Sequence, residues 1–194
     1  MQAISYRSHL RAETYQDRYL LHFETDRDRP GVLFRMAAVL FANDWNIVDA
    51  SIHTSGSMIR DEFLLSARRS GQSLSQLVLE QMRAELETLL SDDLSVIDYL
   101  TIKNRDLPTG SFSTSGVEWI HVPGPGVALA GTDKPGLLTV VAAVFHVVDL
   151  NILEAKITTR ESGMVSNVFY FDPADVRIQD SHFCQRLVHL LQRI

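Results

Sequence analysis

Two short stretches hold the residue types that could do chemistry: D-R-P-G-V-L at Asp28 to Leu33 and D-K-P-G-L-L at Asp133 to Leu138. Each sets a carboxylate, a cation, a proline and a glycine directly before an apolar run. One reading is helix-start grammar. Asp28 and Asp133 stand where an N-cap belongs, and Pro30 and Pro135 fall in the first turn, where a missing N–H costs nothing. The other reading is a binding turn. The N–H groups of Gly31 and Val32, or of Gly136 and Leu137, can hold an anion at a helix N-terminus, and glycine lets a ligand approach the backbone. A carboxylate suits those N–H groups, and an ammonium suits a neighbouring Asp or Asn oxygen; a free amino acid offers both. A phosphate loop fits poorly, because neither G-x-G-x-x-G nor G-x-x-x-x-G-K-[ST] occurs.

Other constellations are weaker. His182 and Cys184 form an H-x-C without further ligands at useful spacing, so no metal is expected and Cys184 reads as a small core residue on the last helix. His53 reads as solvated, His121 as structural, and Trp45 and Trp119 as packed aromatics. No Ser-His-Asp or Cys-His nucleophile pattern, paired-carboxylate motif or nucleotidyl-transfer motif is evident, so neither catalytic residues nor a cofactor are expected and the chain does not read as an enzyme.

The two turns belong to a larger repeat. Sliding the sequence by 105 residues lays segment 28–54 on segment 133–159 without a gap, with 13 identities in 27 positions. A-A-V at Ala37 to Val39 falls on A-A-V at Ala142 to Val144, and D-W-N-I-V-D-A-S-I-H-T falls on D-L-N-I-L-E-A-K-I-T-T. The chain is a duplicated domain.

Each copy must position its turn with the same elements. After D-x-P-G, Leu33, Met36, Ala37 and Leu40 recur at helical spacing, as do Leu138, Val141, Ala142 and Phe145. Strands follow from Asn46 and Asn151. In them Val48, Ala50 and Ile52 oppose Asp49, Ser51 and His53, while Leu153, Ala155 and Ile157 oppose Glu154, Lys156 and Thr158, so one sheet face is covered and one is wet. Hairpin turns lead to strands through Phe63–Leu65 and Phe169–Phe171. Ser73 with Gln76 predicts a capping box for a helix with the stripe Leu74, Val78, Met82, Leu86 and Leu89; the second copy's stripe is Phe183, Leu187, Leu190 and Ile194. A first strand at Tyr19–Thr25 and a closing strand at Ser95–Ile102 give copy one the order β-α-β-β-α-β, an α+β ferredoxin-like unit with an antiparallel sheet and helices on one face. Copy two has no room for a closing strand after its last helix. Residues Glu118–Val122, turning through P-G-P-G into Val127–Ala130, are expected to fill that slot instead. The domains are then 17–103 and 117–194, joined by a Ser/Thr/Gly/Pro-rich linker over 104–116.

D-R-P-G-V-L … N-I-V-D-A-S-I … D-E-F and D-K-P-G-L-L … N-I-L-E-A-K-I … N-V-F resemble two ACT domains, small regulatory modules that bind amino acids. The order D-x-P-G-L-L … V-F-Y-F-D … I-Q-D is also similar to the C-terminal tandem ACT region of uridylyltransferases that modify a nitrogen-signalling protein, where glutamine is the signal. The resemblance implies a ligand at an interface between modules, where the turn of one meets the start of the second strand of the other. It places Asp28, Gly31 and Val32, or Asp133, Gly136 and Leu137, on the turn side. On the strand side it places Asn46 and Ile47, or Asn151 and Ile152. Two departures separate the copies: Asp61 in the first is Asn167 in the second, and the second lacks its last strand.

The bulk properties agree with a regulatory, ligand-binding role in the cytoplasm. A net charge of −6 and a pI near 5.6 weigh against nucleic acid, which rewards a basic face. The longest apolar stretch, Val140 to Val148, contains a histidine and is too short to span a bilayer, and no signal-peptide pattern is present. A single cysteine excludes an internal disulfide and suits a reducing compartment. The helix over 135–148 is apolar nearly all round, where Arg35 interrupts its counterpart, so it is expected to pack on another helix, from copy one or from a second chain in a homodimer. Three classes stay open: an amino-acid sensor, a regulatory piece of a uridylyltransferase-like enzyme, and an association module without a ligand.

Overall fold

The computed structural model describes residues 8–108 and 114–194. Their strands form one antiparallel sheet in the order β1-β2-β4-β3-β7-β8-β6-β5. The first module holds β1 (Ser8–Tyr15), β2 (Arg18–Thr25), α1 (Val32–Ala42), β3 (Trp45–Ser55), β4 (Met58–Ala67), α2 (Gln76–Leu90) and α3 (Val96–Ile102). The second holds β5 (Thr114–Ile120), β6 (Gly126–Thr132), α4 (Leu137–Val147), β7 (Ile152–Thr159), β8 (Met164–Phe171) and α5 (Ser181–Leu191). The fold is α+β and ferredoxin-like, twice over. Core residues from the inner sheet face, such as Phe23, Phe63 and Phe169, are buried under the helices, where Phe145 of α4 meets Phe169 edge-on.

Both modules take their outer strand from the segment just before their own first core strand. β5 pairs antiparallel with β6, Trp119 opposite Val127, and fills the closing-strand slot as expected; it starts at Thr114 and ends at Ile120, leaving His121 and Val122 exposed outside it. β1 does the same for copy one, pairing with β2 from Ser8↔Thr25 to Tyr15↔Arg18. The closing strand expected at Ser95–Ile102 is therefore a correction: that segment is α3. Ser95 caps it by accepting from Asp98 N–H at 3.1 Å, and Val96, Tyr99 and Leu100 bury one helical face. Its alternation of apolar residues served helical and strand spacing equally, and β1 already holds the edge it would have needed.

Smaller expectations also shift. The cap of α2 is Ser75, accepting from Val78 N–H, and not Ser73; the buried stripe is Leu79, Met82, Leu86, Leu89 and Leu90. On α5 the buried residues are Cys184, Leu187 and Leu191, while Leu190 is half exposed. Cys184 is a core residue, its thiol donating to Ile178 C=O at 3.2 Å. His53 is exposed and Trp45 buried, while Trp119 stacks on Phe171 at 5.9 Å. Of the expected linker, Arg105 to Pro108 have no regular structure, residues 109–113 lie outside the described residues, and Thr114–Gly116 start β5.

The modules meet along β3 and β7, paired antiparallel from Asp49↔Thr158 to His53↔Glu154. Ser51 lies opposite Lys156, its own counterpart under the repeat offset, so a pseudo-twofold axis runs through that pair. On the wet face Lys156 Nζ and Thr158 Oγ1 both donate to the Asp49 carboxylate, at 2.7 and 3.1 Å. Beneath the sheet α1 and α4 pack on each other. This explains the apolar second face of the 135–148 helix: copy one covers it within the chain. The same contact buries the whole inner length of α1, with Met36, Ala38, Val39 and Leu40 fully inaccessible.

Candidate ligand pockets at the module seam

The axis creates two related pockets, each with a D-x-P-G turn from one module and the start of a strand from the other. In the first, Asn151 Nδ2 donates to Asp28 Oδ1 at 2.9 Å. In the second, Asn46 hydrogen-bonds the Asp133 carboxyl; burial raises that carboxyl's pKa and the Asn46 bond opposes the rise. The aspartates are thus not helix caps. The N-caps are Gly31 and Gly136, in left-handed conformations at φ 90° and 87°, and neither helix has a side-chain cap bond. Pro30 and Pro135 precede the caps instead of lying in the first turn. A left-handed residue is inexpensive only as glycine. Space enforces the choice as well: a Cβ on Gly31 would lie 2.5 Å from His146 Nδ1, and one on Gly136 would lie 2.6 Å from Pro108 Cγ.

Two of the expected N–H donors are used within their own turns. Val32 N–H is spent on Arg29 C=O at 3.4 Å and Leu137 N–H on Lys134 C=O at 3.1 Å. Among the described residues, Gly31 and Gly136 N–H make no such bond. Gly31, Val32, Asn151 and Ile152 line the first cavity, and Asp133, Gly136, Leu137, Asn46 and Ile47 line the second. Each cavity is closed down tightly, to about 20 Å³ and 30 Å³. That is room for a water molecule, so an amino acid enters only if the turn moves away from the facing asparagine.

Several residues escaped sequence reasoning. Arg29 grips Asp92 with both terminal nitrogens, at 2.6 and 2.8 Å, and Leu90 C=O at 2.9 Å. Arg35, nearly buried, adds Asp92 at 2.7 Å, Leu89 C=O at 2.8 Å and Gly31 C=O at 3.0 Å. Hydrogen bonds from Arg29 and then Arg35 hold the Asp92 carboxyl far below the usual range. This clamp ties the first turn to the end of α2. The only sequence signal for it is a repeat mismatch, Arg35 against Val140. His146 lies over Gly31 where Phe41 lies over Gly136, and burial with the nearby arginines lowers its pKa.

The floors of the cavities hold the departure noted between copies. Asp61 is 2% exposed and its Oδ1 accepts from His53 N–H at 3.3 Å; Asn167 is also 2% exposed and accepts from Thr158 N–H at 3.3 Å. The backbone geometry is the same and the chemistry is not. Burial pushes the Asp61 carboxyl up to about 8, only partly offset by the His53 bond.

Fold and seam together define a tandem ferredoxin-like protein with two inter-module pockets. No family model matches the chain. It is 30% identical over 151 residues to the bifunctional uridylyltransferase/uridylyl-removing enzyme of Pseudomonas fluorescens, a match covering 73% of this chain and 16% of that protein. The chain therefore corresponds to about a sixth of the relative's length. Among the described residues no helix is long and apolar enough to cross a membrane.

Proposed function

We propose that this chain is an amino-acid-sensing regulatory unit of the ACT type, related to a regulatory region of uridylyltransferase enzymes, with its ligand held between the two modules. One observation carries the reading: both turns are latched across the seam by an Asp–Asn pair, Asp28 with Asn151 and Asp133 with Asn46. A ligand that supplies a carboxylate and an ammonium can replace such a pair group for group. It then pays for opening the turn by binding one arrangement of the modules better than the other, which is the condition for allosteric output. The net charge of −6 weighs against nucleic acid and favours a small-molecule ligand.

The test is a thermal-shift and calorimetric screen of the standard L-amino acids, glutamine first. At a hundred times the Kd a bound amino acid stabilises by about 2.7 kcal/mol, a clear shift in Tm. No shift with any of them discards the sensor and leaves a module whose turns only fasten one half of the chain to the other.

A further inference from the structure

The two pockets share their walls but not their charges. Ile52, Thr54 and Ile59 in the first correspond to Ile157, Thr159 and Val165 in the second. The floor position needs one acceptor for a strand N–H, and Asn167 meets that need while neutral. Asp61 meets the same need with a carboxyl that burial penalises, so the fold alone gives no reason for the acid. A second polar group is left over in the same wall. Arg29 spends its terminal nitrogens on Asp92 and Leu90, and its Nε is buried with no hydrogen-bond partner. The second pocket is lined by charged residues too, Asp133 and Lys134, but its acid sits in the turn, already hydrogen-bonded by Asn46, and its floor holds the neutral Asn167. Among the described residues its buried unpaired donor is the neutral Trp45 indole N–H.

We propose that the pockets differ in kind: the Asp61 pocket reads the zwitterionic end of a free α-amino acid, ammonium on the Asp61 carboxylate and carboxylate on Arg29 Nε, while the Asn167 pocket serves as a latch without a charged ligand. This rests on the inter-module binding reading above and adds which pocket binds and through which groups. Arg29 is the one other charged residue lining that cavity; β3 and β4 contribute Ile52, Thr54 and Ile59, and α4 contributes Ala142 and Phe145. Asp61 is therefore protonated in the closed pocket near neutral pH, and the arriving ammonium ionises it, sending the carboxyl proton to solvent.

Calorimetry of the full chain with each standard L-amino acid decides the matter, alongside D61N, N167D and, for glutamine, 4-carbamoylbutanoate, which lacks the α-ammonium. D61N folds because Asn167 already occupies the twin site; its thermal unfolding checks this. One site per chain is expected, weakened about ten-fold or more in D61N. N167D is expected to bring a second site closer to the first in affinity, and 4-carbamoylbutanoate to bind no better to wild type than to D61N. Proton release near pH 7, read from the dependence of the heat on buffer ionisation, is expected for wild type and lost in D61N. Two equivalent sites in wild type, or unchanged affinity in D61N, overturns this inference and leaves the sensor standing. Failure of the wild-type chain to bind any amino acid overturns both.

Discussion

Asp61 is the residue whose behaviour most clearly separates the two halves. Its carboxyl is raised from the ordinary 3.8 to about 8 by burial. Between those values the folded state keeps a proton that the unfolded state has lost. The contribution to stability is therefore fully present below about pH 4, declines as pH rises and levels off above about 8, with a limiting slope of about 1.4 kcal/mol per pH unit. D61N removes this slope. Chemical denaturation at pH 5, 7 and 8.5 is expected to show D61N gaining on wild type as pH rises, and parallel curves would refute a buried acid. The Asp61/Asn167 mismatch was legible in the sequence. The burial of Asp61 was not read, although period-2 alternation puts it on the covered face with Ile59, Phe63 and Leu65, opposite Phe23: a carboxyl is the side chain least expected there. The aspartates of the turns, which the structure pairs with asparagines across the seam, were misread as caps, since a left-handed glycine cap leaves no side-chain signature.

Among the elements, the repeat made most of the fold readable: two copies of one pattern confirm each other's helix and strand. It failed where the copies differ. α3 has no described counterpart in copy two, and β1 has one, β5, that the sequence offered only because a missing strand demanded it. The clamp on α2 is likewise private to copy one. Arg29 and Arg35 converge on Asp92, a left-handed residue at φ 62° just past the helix end, and so fasten the first turn to α2. Asn tolerates that backbone, so Asp92→Asn removes the charge without adding strain. The expected cost is about 1–2 kcal/mol, reduced from that of a buried pair because the Asp92 side chain is 52% exposed. Denaturation in low and high salt checks it: the loss shrinks as salt screens the wild-type pair. An equal loss at both ionic strengths would mean that the carboxylate acts as a plain hydrogen-bond acceptor.

At the scale of the whole molecule, one sheet and one pair of packed helices turn two modules into a single body. β3 and β7 pair across the axis, α1 loses all solvent contact along its inner length against α4 and the sheet, and each module completes the other's pocket. Neither half can melt without exposing the other's apolar face, so the described chain unfolds in one cooperative step. Its two tryptophans sit where they can report this. Trp45 is 3% exposed at the start of β3 in the first module, and Trp119 stacks on Phe171 in the second. In W45F the remaining fluorescence follows the second module, and in W119F it follows the first. The two denaturation curves are expected to be single transitions whose midpoints differ only by the cost of each substitution, with equal m-values. Ala142→Glu, which sets a charge at a 2%-exposed position of α4 against the first module, is expected to lower both curves together by roughly 3 kcal/mol or more. A Trp119 signal that fell while Trp45 held would instead make the seam a docking surface between independent units. In that case ligand-driven rearrangement would be a separation of modules and not a shift within one body.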